Sequence, residues 1–307
     1  MNEYIIGDNL QLLLRLKDNN QIVNLIYFDP PYNTGRNFDD FDDKYLNYAS
    51  YREDFILPRL RLMYDILSTD GVIVVHVEPS VSHHIRLALD EVFGEKNFRN
   101  EIVWKSGGNK KSSKKLMRFH DSIIVYSKSV KFTYNPQYMP YDDNYKSKNT
   151  LNKDDLGDYT TSAAHNSQPN VVPRPNLRYE WNGHFKQWWW SKEKMEKLHN
   201  EGRLKYNEKG IPRVKKYLNE MNGIPVRDLW LDIPQIQGNE KLDYATQKPV
   251  KLLERIITMF SHEGDIVLDP FAGSGTTGRA ALRTNRRYIL FDINEKGKKI
   301  FTNSLNI

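Results

Sequence analysis

The stretch that decides the fold is Ile266-Val267-Leu268-Asp269-Pro270-Phe271-Ala272-Gly273-Ser274-Gly275-Thr276-Thr277-Gly278. Three apolar residues form a short buried strand, and glycines at 273, 275 and 278 mark a tight turn into a helix that runs from Thr276 to about Arg283. Such a loop lets a ligand approach the backbone and offers it the free amides of a helix N-terminus. Tyr288-Ile289-Leu290-Phe291 is the next strand and ends in Asp292, where a carboxylate can accept hydrogen bonds from ribose hydroxyls. Only 29 residues follow Gly278, whereas a dinucleotide fold needs about another hundred. No lysine follows the glycines as a phosphate-gripping loop requires.

The missing strands lie at the other end of the chain. Tyr4-Ile5-Ile6 supplies the strand after Asp292, and the apolar run Ile22 to Phe28 supplies the one after that. The expected fold is therefore a circularly permuted, doubly wound α/β sheet. In it Asp8, Asp29, Gly273 and Asp292 stand at the carboxyl ends of parallel strands, where open α/β sheets bind ligands. Asp29-Pro30-Pro31-Tyr32 follows the second of those strands. Two prolines cannot continue a central strand, so this is a rigid turn. A carboxylate, an outward carbonyl and a flat ring suit an exocyclic amine on a flipped-out base. Accepting both N–H hydrogens frees the nitrogen lone pair, and the ring stacks on the base. The alternative is a rigid turn with an Asp cap.

Further along, Asp8 or Asn9 can cap a helix carrying Leu10, Leu13, Leu14 and Leu16. Residues 37–51 read as a mobile loop. Apolar positions from Phe55 to Leu67 have helical spacing, Gly71 leads into the strand Val72–Val77, and Pro79 opens a helix to Phe93. Strands at Ile102–Trp104 and Ile123–Tyr126 flank a flexible basic connector containing Lys110, Lys111, Lys114 and Lys115. From Lys131 to about Gln237 the pattern degrades, apart from a helix over Ser191–Asn200, and a helix runs from Val250 to Phe260. The domain reading is residues 1–130 and 238–307 as two halves of one domain, with 131–237 as an irregular insert.

Composition supports that division. The chain of 307 residues carries a net charge of +6, with 39% hydrophobic and 27% charged residues. Between Trp104 and Trp230 the net charge is +11 and all six tryptophans occur; the remainder carries −5. A basic, Trp-rich insert in an acidic frame suggests a polyanion partner, and a solvated lysine-rich surface is the bland alternative. Trp188-Trp189-Trp190 fits the core of a small subdomain better than a stacking site, and His120 fits a structural histidine better than a catalyst. There is no cysteine, which excludes disulfides, thiolate zinc sites and cysteine nucleophiles. No run of about 18 apolar residues and no secretory leader is visible, so no membrane association is expected and the expected location is cytoplasmic.

Taken together, Asp29-Pro30-Pro31-Tyr32-Asn33-Thr34-Gly35 and Asp269-Pro270-Phe271-Ala272-Gly273-Ser274-Gly275-Thr276-Thr277 resemble the motifs of amino-group DNA methyltransferases that use S-adenosylmethionine. Their order resembles the β subgroup, which includes the modification subunits of type III restriction systems. Thr246-Gln247-Lys248-Pro249, Phe119-His120-Asp121 and Trp230-Leu231-Asp232-Ile233 are similar to that family too. The resemblance implies a Rossmann-like methyltransferase sheet, with the insert as target-recognition subdomain, and N6 methylation of adenine in duplex DNA with base flipping. It implies that Phe271, Gly273 and Gly275 line the methionine part of the cofactor, with Thr276 near its carboxylate and Asp269 and Ser274 in the same loop. By the same resemblance Asp292 is the ribose-binding acid, Asp8 lies near the adenine ring and Lys248 near the cofactor. Asp29, Pro30, Pro31 and Tyr32 form the catalytic turn. No metal is expected, because the sulfonium methyl is already activated. The four connector lysines are the expected phosphate contacts. A restriction subunit and a second copy of the chain are left open as partners. Competing readings are N4 methylation of cytosine, a structured RNA or protein glutamine substrate, and a non-catalytic DNA-binding module. Type III subunits are usually longer, so the chain looks like a compact stand-alone enzyme.

Overall fold

A computed structural model of the chain describes residues 2–32, 37–38, 41–42, 47–107, 116–148, 151–166, 172–236, 238–244 and 246–305. It divides into two compact units, Met1–Gln137 with Arg227–Ile307, and Tyr138–Val226.

The first unit is built on β1 (Asn2–Ile6), β2 (Val23–Phe28), β3 (Leu67–Val77), β4 (Phe98–Trp104), β5 (Asp121–Ser127), β6 (Leu229–Trp230), β7 (Ile266–Asp269) and β8 (Arg287–Asp292). These strands form one sheet in the order β1-β8-β7-β2-β3-β5-β4-β6. β1, β8, β7, β2 and β3 are parallel, while β5 runs antiparallel to β3 and β4. From β7 the chain steps to β8, and the N-terminal β1 then pairs beside β8, with Ile6 opposite Asp292. The strand order reverses between β7 and β2, and the permuted doubly wound topology expected above is the one observed.

The sheet is buried on both faces, which explains its near-continuous apolar strands. Ile26, Phe28, Ile73 and Val75 join a core cluster with Leu13 of α1 (Asn9–Asp18), Leu60 and Met63 of α2 (Leu57–Ile66) and Ile85 and Leu89 of α3 (Pro79–Phe93). The alternating residues Leu25, Tyr27, Val72 and Val74 are equally buried on the opposite face. α4 (Val250–Phe260) packs on α5 (Thr276–Arg283), which follows the glycine loop, and α6 (Glu295–Ser304) follows β8. Among the described residues no helix is long and apolar enough to cross a membrane.

Two local expectations need correction. β3 begins at Leu67, not at Val72: Val23 pairs with Leu67 and Leu25 with Val72, so Ser68–Gly71 bulge out of register. Residues Tyr48–Tyr51 are helical, not loop. Asn47 and Ser50 form a capping box, and a π-helical turn over Tyr51–Ile56 leads directly into α2. Burial of Tyr51 explains the departure, because the wider turn carries that side chain inward.

The second unit contains a four-stranded antiparallel sheet, ordered Leu204–Tyr206, Pro212–Tyr217, Gly157–Ala163 and Asn152–Asp154. A hairpin (Arg178–Trp181 with His184–Gln187) and the helix Lys192–Asn200, capped by Ser191, complete its framework. Its core holds Ala164, Trp188, Met195, Leu198, Leu204 and Val214. Trp188 is thus a core residue and Trp190 packs against it, whereas Trp189 is exposed.

Candidate active site

The glycine loop spans the gap between β7 and α5. Gly273 (φ +52°) and Gly275 (φ +74°) adopt left-handed backbone, and a Cβ on Gly275 would meet the Phe301 ring at 2.4 Å. The loop is tied down from several directions. Tyr4 Oη donates to the Gly273 carbonyl at 2.7 Å, and Gly273 N–H donates to Asp292 Oδ2 at 2.7 Å. Asn9 Nδ2 donates to the Pro270 carbonyl at 2.9 Å, and Arg59 Nε donates in turn to Asn9 Oδ1 at 2.7 Å. Asp269 accepts from Phe271 N–H (2.9 Å) and from the Thr277 hydroxyl. Burial pushes the Asp269 carboxyl up to about 7 against those two hydrogen bonds. Asp292 also accepts from Asn294 N–H at 2.9 Å. Asp8 caps α1 through Gln11 N–H at 3.1 Å, with Arg59 3.7 Å away. Both acids therefore lie at the ends of the adjacent strands β8 and β1.

On the neighbouring β2, the Asp29 turn lies beside this loop. The rings of Phe28 and Phe271 stack with centroids 5.7 Å apart, and Phe55 of the π turn approaches Phe271 at 5.8 Å. Tyr51 Oη donates to the Pro31 carbonyl at 2.6 Å and braces the turn. Both carboxylate oxygens of Asp29 are engaged: the Tyr32 hydroxyl donates to Oδ1 and the Lys248 ammonium to Oδ2. Lys248, read from sequence as a cofactor neighbour, is thus the cation on Asp29. Burial and the adjacent Asp29 hold the Tyr32 hydroxyl well above the usual phenol range, so it stays a donor.

Behind the turn runs a buried polar relay that the sequence reading missed. Tyr27 Oη and His76 Nδ1 are 2.9 Å apart, and His76 Nε2 lies 3.2 Å from Asp121 Oδ2. His76 is fully buried and Trp104 lies edge-on at 5.5 Å. Burial acts to raise the Asp121 pKa, but the His76 hydrogen bond, with Lys248 and Arg118 nearby, leaves it lowered. The available signal was His76 itself, a polar residue inside Val72-Ile73-Val74-Val75-His76-Val77. A buried polar side chain on a central strand needs partners.

Lys110, Lys111, Lys114 and Lys115 lie outside the described residues. His120 is half-buried. Among the described residues no group of three His, Cys, Asp or Glu could hold a metal ion. The arrangement suits S-adenosylmethionine. Two left-handed glycines let the loop pass close to Tyr244 and Phe301, the acids Asp292 and Asp8 stand at the ends of β8 and β1, and the rings of Phe28, Phe55 and Phe271 cluster where the loop meets the Asp29 turn.

Comparison with known proteins agrees with this geometry. Residues 23–303 match the DNA methylase family. The type II methyltransferase M.EcaI of Enterobacter cloacae is 32% identical over 308 residues, covering 95% of this chain and 66% of its own length. The DNA adenine methyltransferase YhdJ of Escherichia coli (strain K12) is 26% identical over 99% of this chain and 82% of its own length. The chain spans about half the length of the type III modification subunits it matches. The crystal structure of an M1.HpyAVI–SAM complex superposes over the whole of both chains with TM-score 0.56 at 18% identity, a likeness of fold.

Proposed function

The chain belongs to the DNA methylase family, and on that premise we propose that it moves a methyl group from S-adenosylmethionine to the N6 amino group of adenine in duplex DNA. The observation that carries this reading is the Asp29 turn set against the glycine loop on adjacent parallel strands, with Phe28 and Phe271 in contact between them. The cofactor supplies a methyl on a positively charged sulfur, activated without further help. Asp29 and the Pro30 carbonyl accept the two N–H bonds of the target amine and aim its lone pair. As the N–C bond would form, the C–S bonding pair would stay with sulfur, and the surplus N–H proton would pass to the Asp29 carboxylate that already accepts that hydrogen. Tyr32 and Lys248 hold the Asp29 carboxylate in place, and Phe28, Phe55 and Phe271 keep water from the transfer line.

Glycines 273 and 275, with Phe271, Ser274, Thr276, Asp269, Asp292 and Asp8, hold the cofactor on this reading. The unit Tyr138–Val226 recognises the target sequence, and the basic connector tracks phosphates, so affinity falls steeply with salt. The likeness to type III modification subunits supports a restriction partner and a cytoplasmic site of action. Incubation with duplex DNA and labelled S-adenosylmethionine, followed by nucleoside mass analysis, tests the reading. N6-methyladenine is the expected product. N4-methylcytosine would move the assignment to the cytosine amine, and absence of any methylated nucleoside would refute it.

A further inference from the structure

Arg279 is a buried arginine with too few partners. It lies on α5, only 9% exposed, and among the described residues its one hydrogen bond is from Nη2 to Thr276 Oγ1 at 3.1 Å. Its Nε–H is buried, with no acceptor among the described residues. Among the described residues no carboxylate lies within 4 Å of it. The acid that acts on it through space, Glu240, already accepts the Val250 N–H at the start of α4 (2.7 Å). Gln247 clamps the same segment by donating to the Glu240 carbonyl at 2.9 Å and accepting from Leu242 N–H at 2.7 Å. Glu240 is therefore held at the start of α4. Burying a guanidinium without a counter-ion is costly, and such a group calls for an anion.

The surroundings say which anion. Thr276 is in the first turn of α5, and its hydroxyl is 3.1 Å from that of Ser274 in the glycine loop. The partial positive charge of the helix start and Arg279 therefore meet at one end of the crevice. The other end carries Asp292 and Asp8, which would repel a carboxylate and suit hydroxyls and an amine. S-adenosylmethionine has one anionic group, its α-carboxylate. We propose that the Arg279 guanidinium, held on Thr276, is the counter-ion of that carboxylate, so that charge fixes which way round the cofactor lies. This rests on the cofactor proposed above.

Decarboxylated S-adenosylmethionine, which keeps the sulfonium and the nucleoside, separates this role from a structural one. Calorimetric titration of wild type and Arg279→Met should show S-adenosylmethionine and S-adenosylhomocysteine each weakened about 10- to 100-fold, with the decarboxylated compound bound equally by both proteins. Parallel losses for all three ligands, or no loss for any, would overturn the inference. If Arg279→Met fails to fold, Arg279→Lys carries the same comparison, with a partial loss confined to the two carboxylated ligands. A wild type that binds none of the three would instead remove the cofactor reading, and this inference with it.

Discussion

Two turns face each other at the carboxyl ends of β7 and β2, and they are stabilised in different ways. The glycine loop after β7 is held through its own main-chain groups, the amides of Phe271 and Gly273 and the carbonyls of Pro270 and Gly273, which the side chains of Asp269, Asp292, Asn9 and Tyr4 engage. The turn after β2 is held mainly through the Asp29 side chain, by Tyr32 and the distant Lys248, with Tyr51 on the Pro31 carbonyl and the buried Tyr27–His76–Asp121 relay packed behind. A loop that must shape a cradle needs backbone conformation. A carboxylate that must receive an amine needs its orientation and charge set from several directions. The first kind of site tolerates little change at glycine, and the second little change at its partners.

That contrast can be broken at its strongest point first. Asp29→Ala should lower the methyl-transfer rate by about 10³-fold or more while leaving the cofactor dissociation constant within about threefold, since the glycine loop does not depend on Asp29; single-turnover kinetics and calorimetry check both. Gly275→Ala should do the reverse. Its Cβ meets Phe301 in a backbone region that disfavours side chains, so stability should fall by about 1–3 kcal/mol and cofactor affinity with it. His76→Leu should lower stability by about 2–4 kcal/mol, because the Tyr27 hydroxyl and the Asp121 carboxylate both lose a buried partner. Cofactor affinity in that variant should stay unchanged; a large loss of binding would mean that the two turns are not separable.

The smallest effect concerns pH. The folded Asp269 carboxyl titrates at about 7, above its unfolded value near 3.8. The folded chain thus binds this proton more tightly. The stability it contributes is present below about pH 4 and is lost as pH rises through about 7. Denaturant melts at pH 6 and pH 8 should show wild-type stability falling between the two by on the order of 1–2 kcal/mol more than that of Asp269→Asn, a steeper slope against pH than the variant's. Equal slopes would place the titration elsewhere.

The same contrast explains what could be read from sequence. The helices Pro79–Phe93, Val250–Phe260 and Thr276–Arg283 begin where Pro79, Pro249 and Gly275 mark them, and the first ends at Gly94, because those signals are local. The permuted sheet was legible because its central strands carry near-continuous apolar runs and the shortfall after Gly278 had to be met from the N-terminus. The Lys248–Asp29 pair was not, since 219 residues separate the partners and neither carries a mark of the other. The same holds for β6, whose two residues pair with Val103 and Trp104 of β4 across the whole second unit in sequence. The π turn at Tyr51–Ile56 has no sequence signature either, and only the burial of Tyr51 against the Asp29 turn accounts for it.

The claim on which the account depends is that an early turn and a late loop make one site. A crystal structure with S-adenosylmethionine bound tests it most directly. The account predicts the cofactor over Gly273 and Gly275, with its methyl carbon directed at the Asp29 carboxylate past Phe271. A cofactor lodged elsewhere, or one whose methyl points away from Asp29, would contradict it.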